Sequence, residues 1–488
     1  MNPIPFAPFE PDRSKYALMA STSVLNAMPK ADGWGPWPAL SALSEALAAT
    51  PLGVVLVRTF TGAFLIFAGT ETKLYKLDTG SVPYAWTDVS RLAGGNYSVA
   101  SGYRWSFEQH GAFLFATNGT DVLQRINVNT GTEFELCPGS PPVALFVGSA
   151  GNHLVLGRIA DYPNRVQWAA YNNTEIWTEG TRGASYQDLP SGDEVMAILG
   201  SETGAIIVQR NAIQAMSAQV SATSAFRFDV MNPSRGSIAP YSVVNIGAGK
   251  FAYLSEQGFH MNVEGVPIGA ERVDRWFLDE TVDRDKLPEV QGMLDPYNKL
   301  VLWRFQKLDA TKAILAYNYQ LDRWCYSDAQ ILDIAALATP GLTWDGLDNL
   351  YATIDDVDQP FDSRAFTGGR PTLAGFDTSF RLGWFTGDNL AALMDTADVQ
   401  IIPPHRTLVD KVRVITDSTA YTLKVITAEA IGGTRTVSAA QSPFARTGIC
   451  HFRKPALTHA FRLEYAAGAT WSYATGVLPM EPQPAGQQ

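Results

Sequence analysis

A strand-pair pattern recurs along most of the chain at intervals of about 50 residues. Its clearest copies are GAFLIFAGTETKLYKLDTG, which begins at Gly62, and GAFLFATNGTDVLQRINVNTG, which begins at Gly111. Each copy has an apolar strand, a short polar turn and a second alternating strand, which is typical of a β-hairpin. Shorter copies begin at Gly151, Gly204, Gly249, Asn298 and Asp348. A chain built from this unit must assemble several small antiparallel sheets.

Repeats of this length predict a β-propeller, in which each blade is a four-stranded sheet. Solenoids use shorter repeats, and β-sandwiches do not keep such a period. We therefore predict an all-β fold with a propeller of six or seven blades over residues 51–360. Beyond it, alternating strands between Gly, Pro and Thr-rich turns predict a β-sandwich-like domain over residues 361–480. The last residues, 481–488, are expected to form a flexible tail.

The first 50 residues differ from the rest because they contain prolines and aromatic residues without a useful hydrophobic period. We predict an extended N-terminal arm over residues 1–50, which buries Trp34 and Trp37 against the propeller or against a neighbouring subunit. Both alternatives remain open at this point. Residues 39–49 contain good helix formers, but prolines flank them on both sides, and an extended linker fits equally well.

Several tryptophans recur with the repeat. They are Trp86, Trp177, Trp276 and Trp324. Large aromatic side chains at these positions can fill the wedge between neighbouring blades, and sugar-stacking platforms are the functional alternative. Recurrence along the repeat favours packing.

Charge and cysteine content narrow the class of protein. The formal net charge of −11 argues against a protein that clamps phosphate backbones, because such binding needs clustered Lys and Arg. The three cysteines are far apart, so we expect neither a disulfide framework nor a zinc site. The start of the sequence lacks the pattern of a signal peptide, and no apolar run reaches membrane-spanning length. We therefore expect synthesis in the cytoplasm and no membrane insertion.

Acidic residues are the first candidates for chemistry or contact. The run TIDDVDQPFD supplies Asp355, Asp356, Asp358 and Asp362, and an acidic loop between domains explains it better than a glycosidase pair or a calcium site. The stretch LDETVDRDKLPE reads as a solvated segment whose charges could make a subunit contact. Its candidate interaction residues are Asp279, Glu280, Asp283 and Asp285.

Known catalytic and ligand-binding motifs are missing from the sequence. The six histidines are scattered, and there is no HExxH motif, nucleophile elbow or P-loop. We predict no catalytic residue, no metal site and no cofactor, and hence a protein that is not an enzyme.

Residues 234–280 carry a more specific pattern. They contain a Gly-Ser-Ile-Ala-Pro turn, a Leu-Ser-x-x-Gly-Phe strand, an Ile-Gly pair ending at Gly269 and the motif Val-Asp-Arg-x-Phe from Val273 to Phe277. This pattern resembles the bacteriophage virion proteins that form the distal tail tube, or nozzle, of short-tailed phages, including the packaged-DNA stabilisation proteins. The N-terminal pattern of that family is also matched, by Pro11, Asp12, Asn26, Pro29 and Gly33.

The resemblance implies a propeller-built subunit of a ring, expected to be a homohexamer. Its expected partners are the head–tail adaptor and the tail fibre proteins, and its expected location is the virion tail, after assembly in the host cytoplasm. Duplex DNA would pass through the ring without specific binding, and the ring would help to retain the genome before ejection. An acidic protein suits such a conduit, because carboxylates on the channel face repel phosphate.

Two other functions remain open. One is a receptor-binding or carbohydrate-binding propeller of a phage tail, which would concentrate exposed aromatic residues in one pocket. The other is a glycoside hydrolase on the same fold, which is disfavoured because no carboxylate pair is placed by the sequence.

Overall fold

Short strands account for most of the structure, a computed structural model that describes residues 3–17, 20–80, 83–190, 193–219, 225–338, 353 and 371–485. Five of these strands lie in the N-terminal arm, and they join three different sheets. The five are β1 (Ile4–Pro5), β2 (Val24–Leu25), β3 (Ala27–Lys30), β4 (Gly33–Pro36) and β5 (Ser41–Ala46).

Six four-stranded antiparallel sheets follow one another along the chain, and within each of them the strands pair in sequence order. The first contains β6 (Val54–Arg58), β7 (Phe64–Gly69), β8 (Leu74–Asp78) and β9 (Ala85–Asp88). The second contains β10 (Ser106–His110), β11 (Phe113–Thr117), β12 (Gln124–Asn127) and β13 (Glu135–Leu136). The third contains β14 (Ala144–Ala150), β15 (His153–Ile159), β16 (Tyr162–Trp168) and β17 (Ser185–Asp188). The fourth contains β18 (Val195–Ser201), β19 (Gly204–Gln209), β20 (Ile213–Ala218) and β21 (Phe226–Asn232).

An insertion with two short helices separates the fifth sheet from the sixth. The fifth contains β22 (Val244–Gly247), β23 (Lys250–Ser255), β24 (Gly258–Met261) and β25 (Val266–Pro267). The helices are a π-helix (Trp276–Thr281) and a 3₁₀-helix (Arg284–Glu289). The sixth contains β26 (Gln291–Asp295), β27 (Leu300–Gln306), β28 (Lys312–Asn318) and β29 (Arg323–Ser327). Among the described residues, no helix is long and apolar enough to cross a membrane.

The seventh four-stranded sheet combines distant parts of the chain. It pairs β30 (Asp333–Ala338), β31 (Pro371–Phe376) and β32 (Arg381–Trp384) with β5 of the N-terminal arm, in that order. Trp384 lies opposite Ser41, and Arg381 lies opposite Ala46. The innermost strand β30 also packs against β6 of the first sheet and β26 of the sixth. An N-terminal strand therefore completes the last sheet, and the predicted all-β propeller is confirmed.

Local sequence explains why the hairpins form. Gly111, between β10 and β11, has φ +62°, and Gly151, between β14 and β15, has φ +55°, a backbone region that glycine adopts without strain. The second strand of each propeller sheet is a nearly continuous apolar run, because neighbouring sheets cover both of its faces. In β27, Leu300 to Phe305 are all buried.

Two further sheets are formed by the C-terminal region together with the arm. The new strands are β33 (Ala392–Asp395), β34 (Thr407–Thr416), β35 (Thr422–Ala428), β36 (Thr436–Val437), β37 (Ile449–Ala456), β38 (Thr458–Tyr465), β39 (Ala474–Met480) and β40 (Gln483–Pro484). A seven-stranded sheet has the order β3-β4-β39-β34-β37, with β1 on β39 and β40 on β34. A five-stranded sheet has the order β2-β33-β38-β35-β36.

One hydrophobic cluster joins these two sheets to the propeller. It includes Val412 and Leu463 from the two C-terminal sheets, Trp34 from the arm, and Phe259 and Trp303 from the fifth and sixth sheets. The arm therefore lies within a core that is shared by the C-terminal sheets and the propeller.

The predicted domain boundaries need three corrections. The propeller does not end at residue 360, because β31 and β32 belong to its seventh sheet. The arm of residues 1–50 is extended, but its strands are integral parts of three sheets instead of a separate unit. The tail predicted for 481–488 is partly ordered, because Gln483 pairs with Leu408 across β40 and β34.

Candidate interaction surface at the arm junction

The arm, the insertion and the C-terminal sheets meet at one place, which we call the arm junction: residues 9–12 and 26, the insertion 268–290, and the neighbouring residues 322–328 and 391. Asp12 lies at its centre. Its carboxylate accepts hydrogen bonds from the backbone N–H groups of Arg275 (2.9 Å) and Trp276 (2.8 Å), at the start of the π-helix. These N–H groups have no partner within a helix, so a carboxylate placed there stabilises the helix start.

Side chains next to Asp12 attach the arm more firmly. Arg272 Nε donates to Glu10 Oε1 at 2.7 Å, and Arg272 Nη1 donates to Asp322 Oδ1 at 2.7 Å. The Phe9 ring meets Trp276 edge-on, with 5.2 Å between ring centroids. The side chain of Glu10 is only 4% exposed, so its ion pair with Arg272 is held in a poorly solvated position.

Asn26 connects three parts of the chain through its side chain. Its Nδ2 donates to Asp328 Oδ1 (2.8 Å) and to the carbonyl oxygen of Ala391 (2.7 Å). Its Oδ1 accepts from Ser327 Oγ at 2.7 Å. Asn26 has φ +52°, a conformation that asparagine adopts more readily than most residues. One buried amide thus joins the arm to the sixth sheet and to the start of β33.

Gly258, Gly269 and Asp274, which belong to the pattern of residues 234–280, come together at the junction. A Cβ at either glycine would overlap the Asp274 carboxylate, so the two glycines make room for it. Asp274 Oδ1 accepts from Phe259 N–H at 3.1 Å, and Asp274 is 8% exposed. Burial, together with the nearby negative charge of Asp12, raises the pKa of Asp274 to about 7.

The two tryptophans predicted to mediate interactions are buried within the chain. Trp34 is 0% exposed and Trp37 is 1% exposed, and Trp34 Nε1 donates to the Phe6 carbonyl oxygen at 3.0 Å. Trp34 also lies opposite Ala474 where β4 pairs with β39. Neither indole reaches a surface that a partner could contact. Of the two alternatives left open for them, burial within the same chain is the one observed, because the C-terminal sheets already cover both rings.

The four acidic interaction candidates lie together in the insertion. Asp279 pairs with Arg284, and Glu280 lies 3.8 Å from Arg275 Nε. Asp283 precedes the 3₁₀-helix and accepts from the Asp285 N–H at 3.1 Å. The side chains of Asp279 and Glu280 are more than half exposed. Their role in a subunit contact stays a prediction.

The recurring tryptophans pack inside the chain. Trp86 Nε1 donates to the Glu45 carbonyl oxygen at 3.1 Å, which joins the first sheet to the strand that closes the seventh. Trp177 belongs to a cluster shared by the second and third sheets. Trp324 is fully buried beside Trp303. Packing is therefore confirmed over sugar stacking for these three side chains.

In the described parts of the chain, no group of three or more His, Cys, Asp or Glu side chains could hold a metal ion. The acidic run from Asp355 to Asp362 lies outside the described residues. Burial raises the pKa of the Cys137 thiol to about 12 and that of the Cys450 thiol to about 11, so neither thiol is activated as a nucleophile.

Sequence reasoning missed the clustering of Gly258, Gly269 and Asp274. The two glycines stood in the quoted pattern, but nothing in their spacing showed that they face one carboxylate. It also missed Arg104 and Asp333, which form a buried ion pair across 229 positions of sequence. No local signal marks such a pair.

The fold defines a protein of the β-propeller class. No family model and no curated protein matches the chain. The chain is similar to a chain in the crystal structure of the mitotic checkpoint complex, with 13% identity and a TM-score of 0.36 over 71% of this chain and 97% of that one. It is also similar to the WD40 domain of Toxoplasma gondii coronin, with 10% identity and a TM-score of 0.34 over 62% of this chain and 81% of that one. A third similar structure is the computationally designed Ika8 protein, with 8% identity and a TM-score of 0.34 over 72% and 97%. These likenesses concern the fold alone.

Proposed function

We propose that the protein is a structural component of a short-tailed phage virion: one subunit of an oligomeric tail nozzle, or tail tube, through which DNA passes. The observation that carries this proposal is the arm junction. Five residues of the pattern on which the family resemblance rests stabilise this junction, either by hydrogen bonds or by leaving space for the Asp274 carboxylate. They are Asp12, Asn26, Gly258, Gly269 and Asp274. A residue pattern whose members stabilise the fold is more typical of an assembly protein than of an enzyme.

The surface of the insertion is the contact for assembly in this proposal. The insertion lies between the fifth and sixth sheets and carries charges of both signs, and the side chains of Asp279, Glu280 and Arg284 are more than half exposed. In a closed ring each subunit meets the next head to tail through two different surfaces, and complementary charges across such an interface help to set its register. A closed ring, a homohexamer in this proposal, would then bind the head–tail adaptor at one end and the tail fibres at the other.

The proposal is tested by measuring the size and shape of the purified protein. Light scattering coupled to gel filtration should give the mass of an oligomer, and negative-stain images should show a ring with a central opening. A single monomeric species at every soluble concentration, with no ring when the purified adaptor is added, contradicts the proposal.

Charge reversal in the insertion locates the contact. Asp285→Lys adds a positive charge on an exposed side chain, and it should lower the oligomeric fraction while leaving the thermal unfolding midpoint unchanged. Asp161→Lys makes the same change on an exposed turn of the third sheet and should leave the oligomer intact. If the two variants have the same oligomeric fraction, the contact lies outside the insertion.

A second candidate function, carbohydrate binding, is favoured by one pocket of about 580 Å³ between the third and fourth sheets. Tyr171 lines it and is 52% exposed, and its hydroxyl accepts from Asn152 Nδ2 at 2.9 Å. The edge-on His153 ring holds the tyrosine at 5.6 Å between centroids. A fixed, half-exposed aromatic ring beside Arg182 suits stacking against a sugar. Glycan-array binding that Tyr171→Ala removes and Tyr297→Ala retains would support this function over the tail nozzle.

A further inference from the structure

A cavity of about 490 Å³ lies where the chain enters the innermost strands of the propeller. Its walls come from the residues just before β6, β10, β26 and β30, namely Thr50 to Leu52, Val99 to Arg104, Glu289 and Leu332. These strands belong to the first, second, sixth and seventh sheets, which are consecutive around the ring. The cavity is therefore formed by the assembled propeller and not by any single sheet.

Two guanidinium groups are buried in the cavity wall. Arg104 is 6% exposed, and its Nη2 lies 2.6 Å from Asp333 Oδ2. Arg304 is 5% exposed, and its Nε and Nη1 donate to the carbonyl oxygens of Ile331 and Glu289, respectively, both at 3.3 Å. Within the described ranges, no carboxylate lies within ion-pair distance of Arg304. Asp333 is thus the buried carboxylate that must balance both guanidinium groups.

A third cation increases the excess of positive charge. Lys312 lines the cavity and contacts Gln306 Oε1. The carboxylate of Glu289 lies near Arg304 and Lys312, but its ion-pair partner is Lys286, at 2.7 Å. Glu71 also lines the cavity but is exposed to solvent, where its charge is screened.

The protonation equilibria agree with this charge balance. Burial, together with the nearby charge of Arg104, lowers the pKa of Arg304 to about 10. Burial and the charge of Arg304 also lower the pKa of Lys312. Arg304 stays protonated near pH 7, so the cavity wall holds a buried cation without an ion-pair partner among the described residues.

We propose that this cavity binds a small phosphate-type oxyanion, held by Arg104, Arg304 and Lys312. The planar guanidinium groups offer paired N–H donors that match the oxygens of such an anion, and the ammonium group of Lys312 adds a point charge. A bound oxyanion would give Arg304 an anionic partner and would link the sheets that form the wall. The site is independent of whether the chain assembles into a ring.

The proposal is tested by titrating the full-length protein at pH 7 with inorganic phosphate, and separately with a deoxynucleoside 5′-monophosphate. Calorimetry should show one saturable site for phosphate, beyond the effect of sodium chloride at equal ionic strength. Binding of the nucleotide alone would identify a phosphate ester as the ligand, whereas binding of both would identify the phosphate group itself. Absence of saturable binding by either anion overturns the proposal.

Two variants locate the site. Lys312→Gln should weaken binding by about tenfold, since it removes one charged partner. Lys250→Gln makes the same change on an exposed residue of the fifth sheet, outside the cavity, and should leave the affinity within about twofold. If both variants bind like the wild type, the anion sits elsewhere and the proposal fails. Arg304→Met should abolish binding, and if this variant does not fold, the Lys312 comparison decides alone.

Discussion

At the scale of single residues, the arm junction depends on polar side chains that hydrogen-bond backbone groups. Asp12 and Asp274 accept from backbone N–H groups, and the Asn26 amide reaches a backbone carbonyl as well as two side chains. Bonds of this kind fix the path of the chain between the short strands of the arm. They explain how an arm with so little hydrophobic periodicity adopts one conformation.

Asp274→Asn should change how stability depends on pH. The pKa of Asp274 is raised from 3.8 to about 7 in the folded protein, so the folded state binds this proton more tightly than the unfolded state does. Wild-type stability should therefore fall as the pH rises from about 4 to about 7, by about 4 kcal/mol, and then level off.

The asparagine variant stays neutral, so it should lose this decline and be more stable than the wild type at pH 8. Urea unfolding at pH 5 and pH 8 measures the difference between the two proteins. Asp161→Asn, on an exposed turn, serves as the control. An equal pH dependence in wild type and Asp274→Asn would mean that Asp274 is ionised throughout this range.

At the scale of elements, closure of the propeller depends on β5. Leu382 N–H donates to Ser44 Oγ at 2.8 Å, and Leu47 N–H donates to the Phe380 carbonyl oxygen at 3.0 Å. The closing strand also covers Trp86 of the first sheet. It therefore connects the first and last sheets in addition to completing one of them.

Gly383→Ala should weaken this closure. A Cβ at residue 383 would overlap the backbone of Ser41 and Ala42, and backbone atoms in a paired strand cannot move aside without breaking the pairing. We expect a loss of roughly 2–4 kcal/mol in the free energy of unfolding, with faster proteolysis near residues 41–46. Gly80→Ala, on an exposed turn, should have little effect on either measurement. Similar cleavage rates for the two variants would show that β5 is not needed for closure.

The elements also show what sequence could and could not predict. Six of the seven repeat copies coincide with the second strands of successive sheets, from β7 at Phe64 to β27 at Leu300, because these strands are the most buried and hence the most apolar. The seventh copy, at Asp348, lies outside the described residues, and the corresponding strand β31 begins at Pro371. The domain boundary was misplaced for this reason.

The closing strand illustrates a different limit of prediction. Residues 41–46 have good helix propensity, yet they form β5, because pairing with β32 satisfies the exposed edge of the seventh sheet. Likewise, tryptophan content predicted burial of Trp34 and Trp37 but could not show which surface would bury them. Contacts between residues hundreds of positions apart produce no local sequence pattern, so they cannot be predicted from the sequence.

At the scale of the whole molecule, the excess of acidic residues coexists with a buried basic cavity. The net charge of −11 belongs to the whole chain, whereas Arg104, Arg304 and Lys312 are confined to one small site. Binding of duplex DNA requires many exposed cations in register with the phosphates. A group of three cations, two of them buried, is too small for that purpose.

We therefore expect the protein not to bind duplex DNA at physiological salt. Fluorescence anisotropy of a labelled duplex of random sequence should stay unchanged up to protein concentrations of about 100 µM. Lowering the salt should produce at most weak binding, since net repulsion then acts over a longer distance. Tight binding that weakens steeply as salt is added would contradict both this expectation and the proposed conduit.

The pairing of β5 with β32 has a consequence for synthesis on the ribosome. Ser44 and its partner Leu382 are 338 positions apart, so β5 stays unpaired until the rest of the propeller has been translated. At typical rates of about 5–20 residues per second, that delay is roughly 20–70 s. During this time the nascent chain carries an unpaired strand at its leading end, and a chaperone that shields short extended peptides would raise the yield of correctly closed protein.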